Sequence, residues 1–305
     1  MESSVTVDKK GKKMKKQSIY KSDQGKQLIL QQYEQYLQAF PLHITRDYVP
    51  TRFGRTHVLR MGKEDGKPLF ILQGGNCINP MTLSWFSPLL KEYKVYAPDT
   101  IGHPGFSDET RVSAKDDSFA LWLSDLLDYY DIERAAFIGP SYGGGIILRL
   151  AAFFPERIAC SALVSPAGVS IGSKVKMIKE ILLPLFLYKA GHSSQPLETL
   201  AASLSNGSMQ AIDQEMIGLI FTHVSLEQNM PKLTTQKELA GARFPILIVA
   251  GEDDIFFPAE NLFPGAAAIF GDLLEWRAYH MGHFPSPAHM EKINTDIKSF
   301  LIKHY

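Results

Sequence analysis

Cysteine is scarce in this chain: 305 residues contain only Cys77 and Cys160. Two thiols cannot staple a chain of this length, which excludes a disulfide-built scaffold and leads us to expect two free thiols in a reducing compartment. Long apolar runs are missing too. The most apolar stretch, residues 181–188, is interrupted by Pro184 and falls far short of the ~20 residues that span a bilayer. Neither sign of charge prevails, because Lys plus Arg and Asp plus Glu both number 32. No global field therefore draws in nucleic acid or an anionic membrane, and the expected partner is a small molecule. Near the start, Lys9, Lys10, Lys12, Lys13, Lys15 and Lys16 are followed by no apolar segment of the kind a secretory signal needs. Residues 1–20 are read as a solvated basic arm, and the expected location is the cytoplasm.

What is present is an ordinary globular composition, 45% hydrophobic and 21% charged, enough to bury a sizeable core. Residues 45–49 and 56–61 alternate as strands do, with Phe53 and Gly54 supplying a turn, so the fold is expected to open with a β-hairpin. Short apolar runs follow at 69–72, 95–97, 135–138, 162–164 and 246–250, each too brief for a buried helix. Helical patterns at 119–130 and 144–154 lie between them. Strands alternating with helices specify the α/β class, a mainly parallel sheet covered on both faces. The alternation breaks over 166–244, where three helical segments follow one another. The first runs from near Ser173 to Gly191, the second has Pro196 in its first turn, and the third follows Ser208. This stretch is expected to be a helical lid inserted into a core of 21–165 and 245–305. A helix over 259–270, a strand over 274–279 and a closing amphipathic helix complete the core.

The chemistry concentrates at Gly139-Pro140-Ser141-Tyr142-Gly143, a G-x-S-x-G placed between a strand pattern and a helix pattern. Such a turn lifts a strained serine clear of the sheet, and it needs flanking residues without Cβ atoms that would collide across it. Pro140 biases Gly139 to extended backbone, and Tyr142 begins a helix whose positive end faces the nucleophile. A serine hydroxyl needs an adjacent base, itself oriented by a third group. Of nine histidines, His283 lies after the last strand pattern and before the closing helix, with His280 in reserve. The acid is expected between serine and histidine, directly after the strand over 246–250, where Glu252, Asp253 and Asp254 compete. Spacing does not choose among them, and an acid at this place also suits a turn or a helix cap.

Taken together, these segments resemble the α/β-hydrolase superfamily, and in particular its lidded carboxylesterase-like branch, from about Tyr48 to the end of the chain. The loop Gln73-Gly74-Gly75-Asn76 and the D-x-x-G-x-G-x-S-like segment from Asp99 to Ser107 belong to the resemblance, with the elbow at Ser141. It implies Asp254 as the triad acid, from the G-E-x-D pattern, and His283 as the base, from the G-H pattern. It also implies an oxyanion hole made by the backbone N–H groups of Gly75 and Tyr142, with Asn76 as a substrate-contacting neighbour. Two departures stand out: Gln73-Gly74 replaces the usual His-Gly, and Pro104 is inserted in Gly102-His103-Pro104-Gly105.

The implied activity is hydrolysis of a carboxylic ester through an acyl-enzyme, with no cofactor and no metal. A serine at the elbow disfavours the aspartate-nucleophile relatives. Cys77 is read as a small buried thiol rather than a nucleophile. In the lid, Ile178, Ile181, Leu182, Leu185 and Phe186, then Ile217, Ile220 and Phe221, are expected either to touch an apolar part of the substrate or to pack the lid onto the core. Two other readings remain: a hydrolase of the same fold acting on amide, lactone or carbon–carbon bonds, and a ligand-binding regulatory protein that keeps a hydrolase pocket.

Overall fold

The computed structural model describes residues 18–191 and 194–305, so the basic arm expected over 1–20 lies outside the described residues as far as residue 17. Ile19 and Tyr20 are already buried, and Tyr20 bridges to Val224. The first element is then a helix, α1 (Asp23–Gln38), ahead of the hairpin that the alternation suggested. Ser22 caps it by accepting from Gly25 N at 3.0 Å, and Asp23 in the first turn complements its dipole. Its buried residues are Gly25, Ile29, Gln32, Tyr33, Tyr36 and Leu37, four of them small or polar-tipped, which blurs the helical period in a hydrophobicity reading. Each buried phenol has a partner: Tyr33 Oη donates to Asp99 Oδ1 at 2.8 Å and Tyr36 Oη to Asp213 Oδ1 at 2.5 Å.

The hairpin follows as β1 (Thr45–Thr51) and β2 (Gly54–Gly62), then β3 (Pro68–Ile71), α2 (Asn79–Trp85), β4 (Lys94–Pro98), α3 (Ser118–Tyr129), β5 (Ala135–Pro140), α4 (Ser141–Phe153) and β6 (Ile158–Val164). Next come α5 (Lys174–Met177), a π-helical turn (Ile178–Leu182), α6 (Leu183–Gly191), α7 (Ser194–Ser205) and α8 (Ala211–His223). The chain closes with β7 (Ile246–Gly251), α9 (Ala259–Phe270), β8 (Leu274–Tyr279) and α10 (Pro287–His304). Between β6 and β7 the described residues hold no strand of the sheet. Among the described residues no helix is long and apolar enough to cross a membrane.

The strands form one eight-stranded sheet in the order β1-β2-β4-β3-β5-β6-β7-β8. β1 and β2 pair antiparallel, as do β2 and β4, and every other pair is parallel. Along the interior strands successive residues enter opposite cores. Ile71, Ala136, Ile138, Leu247 and Val249 face one side, and Phe70, Leu72, Phe137, Ile246 and Ile248 the other. A strand buried on both faces reads as a continuous apolar run, and each such side chain taken out of water contributes about 1.5–3 kcal/mol. Strand order reverses around β3, which has β4 on one side and β5 on the other. In open α/β sheets the crevice beyond the carboxyl ends at such a reversal is where ligands bind.

Candidate active site

Ser141 is the first residue of α4, directly beyond β5, with φ +49°. An L-residue in the left-handed region stores about 1–3 kcal/mol of strain that the surroundings must hold. The glycines explain how they do. A Cβ on Gly139 would lie 2.7 Å from the Gly143 carbonyl carbon and the Gly144 nitrogen, and one on Gly143 would lie 2.8 Å from the carbonyl oxygens of Leu72 and Gln73. The elbow is therefore pressed against the end of β3, and only residues without a side chain fit there. Ser141 remains partly accessible, and its own carbonyl accepts from Ala167 N at 3.0 Å.

The loops after β7 and β8 bring His283 and Asp254 together. His283 Nδ1 lies 2.8 Å from Asp254 Oδ2, and both side chains are buried. The other oxygen, Asp254 Oδ1, accepts from Phe256 N at 2.8 Å and Phe257 N at 3.0 Å. The aspartate thus makes the turn that an acid after a strand commonly makes, and holds the imidazole as well. Burial works against its charge, but the adjacent imidazole and these hydrogen bonds prevail and hold its carboxyl below the usual range. The rings of Phe256, Phe257 and Phe284 surround His283, with centroids 4.9, 5.7 and 5.9 Å away.

The competing residues lie elsewhere. His280 is exposed, and its Nδ1 is 2.8 Å from Glu252 Oε2 and 3.7 Å from Asp253 Oδ2. Asp253 also accepts from Asn206 Nδ2 at 2.9 Å. Cys77 is a free thiol, and burial pushes it up to about 12, far from the thiolate a nucleophile needs. Among the described residues no group of three or more His, Cys, Asp or Glu is placed to hold a metal ion.

Gly75 faces the elbow closely enough that a Cβ on it would lie 2.9 Å from Tyr142 Cβ. Gln73, where a histidine is usual, is fully buried and staples this loop: its Nε2 donates to Cys77 O at 2.7 Å and its Oε1 accepts from Thr100 N at 3.0 Å. Asn76, with φ +50°, turns its amide away along the chain. Its Nδ2 donates to Glu227 O at 3.0 Å and its Oδ1 accepts from Glu227 N at 2.7 Å. Both ends of the side chain expected to touch substrate are thus bonded to the segment after α8. His103 packs on Tyr142 with ring centroids 4.8 Å apart, and burial pushes its imidazole down to about 4, so it sits there neutral.

The sequence reading missed these supports. The segment between β6 and β7 touches both loops as well, the histidine loop through Phe284 N donating to Leu204 O at 2.9 Å and the acid loop through the Asn206–Asp253 bond. An Asx turn at Asp254 was readable from local chemistry. The Gln73 and Asn76 contacts carry no local signature.

Comparison with known proteins agrees with this architecture. The family described as alpha/beta hydrolase fold matches residues 67–289. The uncharacterized carboxylesterase nap of Bacillus subtilis is 28% identical over 284 residues, covering 88% of this chain and 91% of that protein. Carboxylesterase YbfK of the same organism is 25% identical over 278 residues, covering 89% and 92%. The crystal structure of the naproxen esterase from Bacillus subtilis superposes with a TM-score of 0.77 at 24% identity, covering 92% of this chain and 99% of that one, a likeness of fold.

Proposed function

The chain belongs to the α/β-hydrolase fold family, and on that premise we propose that it hydrolyses carboxylic esters with Ser141 as nucleophile, His283 as base and Asp254 as the acid that orients the base. The observation that carries the reading is the buried 2.8 Å hydrogen bond between His283 and Asp254. A carboxylate only accepts, so Nδ1 carries the proton and Nε2 keeps its lone pair, the state a general base requires.

Ser141 attacks the ester carbonyl as His283 takes its proton. The oxyanion is met by the N–H groups of Gly75 and Tyr142, an interaction whose loss at one donor slows comparable reactions by about 10²–10³-fold. Collapse expels the alcohol, protonated by His283, and leaves an acyl group on Ser141. Water deprotonated by His283 then attacks that ester, releasing the acid and restoring the serine. The helices of 166–244 act as a cap over the site, and the phenylalanines around His283 favour a substrate with an apolar group. Asn76 acts by clamping cap to oxyanion loop rather than by touching substrate. The carboxylesterase names of relatives that align over most of their length support an ester rather than an amide or carbon–carbon bond.

A fluorophosphonate should label Ser141, and short aryl esters should be turned over. Ser141→Ala should abolish both while thermal unfolding stays the same. Full activity in that variant sinks the assignment, and tight ligand binding with negligible turnover by the parent protein turns the reading to a regulatory receptor.

A further inference from the structure

The helix that begins after Ser173 is apolar on two sides. One side turns inward through Ile181 and Pro184, which are buried. The other presents Val175, Ile178, Leu182 and Phe186 to solvent, with exposures of 76%, 56%, 55% and 67%. These four recur at spacings of three and four residues, so they form one stripe along the helix. An isolated exposed leucine needs no explanation, but an aligned row of large apolar side chains marks a surface that meets something. Neither use expected from sequence applies to this stripe, because a face this open is packed neither on the core nor inside a pocket.

Charge indicates what it meets. Between residues 171 and 191 four lysines stand against one acid, Glu180, and Lys174, Lys176 and Lys179 are all exposed. The equal totals of acidic and basic residues hide this local excess. A second basic tract, the six lysines of 9–16, precedes Lys21 in the sequence. Lys21 Nζ donates to the carbonyls of Phe221 and Thr222 at the end of α8, and Thr222 Oγ1 lies 3.2 Å from Tyr188 Oη of α6.

We propose that the outer face of residues 174–187 is a docking surface for an anionic lipid bilayer, on which the protein rests peripherally. The apolar stripe enters the boundary between headgroups and acyl chains, and the flanking lysines meet lipid phosphates. A second copy fits less well, since a two-fold contact across the stripe sets two lysine-rich helices against each other with one acid apiece. The surface is independent of the hydrolytic chemistry.

The test is flotation of the full-length protein with vesicles of phosphatidylcholine alone and of phosphatidylcholine and phosphatidylglycerol in equal parts. The expected result is binding to the anionic vesicles at least about tenfold stronger than to the neutral ones, weakening as salt is added. Each surface lysine is worth about fivefold, so the triple variant Lys174→Gln, Lys176→Gln, Lys179→Gln should lose at least about tenfold. Leu182→Ser with Phe186→Ser should lose a similar factor. Both variants replace exposed side chains, so turnover of a short soluble ester and thermal stability should be unchanged. Three results overturn the proposal: equal vesicle binding by variants and parent, loss of binding only when the lysines of 9–16 are replaced by glutamine, or a micromolar self-association of the parent that Phe186→Ser abolishes.

Discussion

Replacing Asp254 by asparagine preserves size and changes one group, and the surroundings dictate how the new amide must sit. Asp254 Oδ1 accepts two backbone N–H groups, from Phe256 and Phe257. Turning an NH2 toward those donors would forfeit both bonds, at about 1–3 kcal/mol for each buried group left unsatisfied. The amide oxygen therefore stays there and the NH2 faces His283 Nδ1. A donor at that place makes Nδ1 an acceptor and moves the imidazole proton to Nε2, the atom that accepts the serine proton in the proposed mechanism. A wrong tautomer of this kind lowers turnover on the order of 10⁴-fold, equivalent to ~5.4 kcal/mol of barrier. Asp253→Asn and Glu252→Gln disturb only exposed contacts with His280 and Asn206, so they should stay within about tenfold, or ~1.4 kcal/mol. Hydrolysis of a short aryl ester measures the rates, and nitrogen chemical shifts of the His283 ring report the tautomer. The variant should also reveal a pH-dependent contribution to stability. A carboxyl held below its ordinary range in the folded state stabilises above that range, and the contribution is lost as pH falls through the folded value. The stability difference between parent and Asp254→Asn should therefore be largest near neutrality and shrink in acid. Near-normal turnover in Asp254→Asn together with a large loss in Asp253→Asn would refute the reasoning.

Gly143→Ala forces a Cβ to within 2.8 Å of two backbone carbonyl oxygens, whereas at Gly74 the nearest atom to such a Cβ is Cys77 Sγ at 3.9 Å. Gly143→Ala should lose most activity and lower the melting temperature, and Gly74→Ala should alter stability by less than about 0.5 kcal/mol; equal effects would show that the elbow is not packed as described. Asn76→Gly keeps the left-handed backbone and removes the clamp on Glu227, so kcat should fall by about tenfold with a smaller change in KM, since two hydrogen bonds of about 1 kcal/mol each hold the loop in place. Unchanged kcat in that variant would reduce the clamp to a structural detail.

The parts of this protein that were legible in its sequence are those whose cause is local. A serine lifted out of the sheet needs Gly139 and Gly143 within two residues of it, and a strand buried on both faces must read as an apolar run, so the elbow and the interior strands could be placed from neighbours in the chain. The break in alternation between β6 and β7 was visible for the same reason, down to Ser173 as a helix cap. Helix α1 was not, because only Ile29 and Leu37 of its buried residues are plainly apolar, and the burial of Tyr33 and Tyr36 depends on the distant partners Asp99 and Asp213. Spacing left three adjacent carboxylates open and the resemblance pointed to Asp254, but only the tertiary structure pairs one of them with the buried imidazole of His283. Glu252, Asp253 and Asp254 share one turn, and the loop after β8 brings His283 to Asp254 while leaving His280 in solvent with the other two. Only it showed Asn76 spending its amide on Glu227, 151 residues away in the chain. Between β6 and β7, periodicity announced an apolar helix but could not say what lies opposite each face, since the 3.6-residue repeat records direction around an axis and not the neighbour found there.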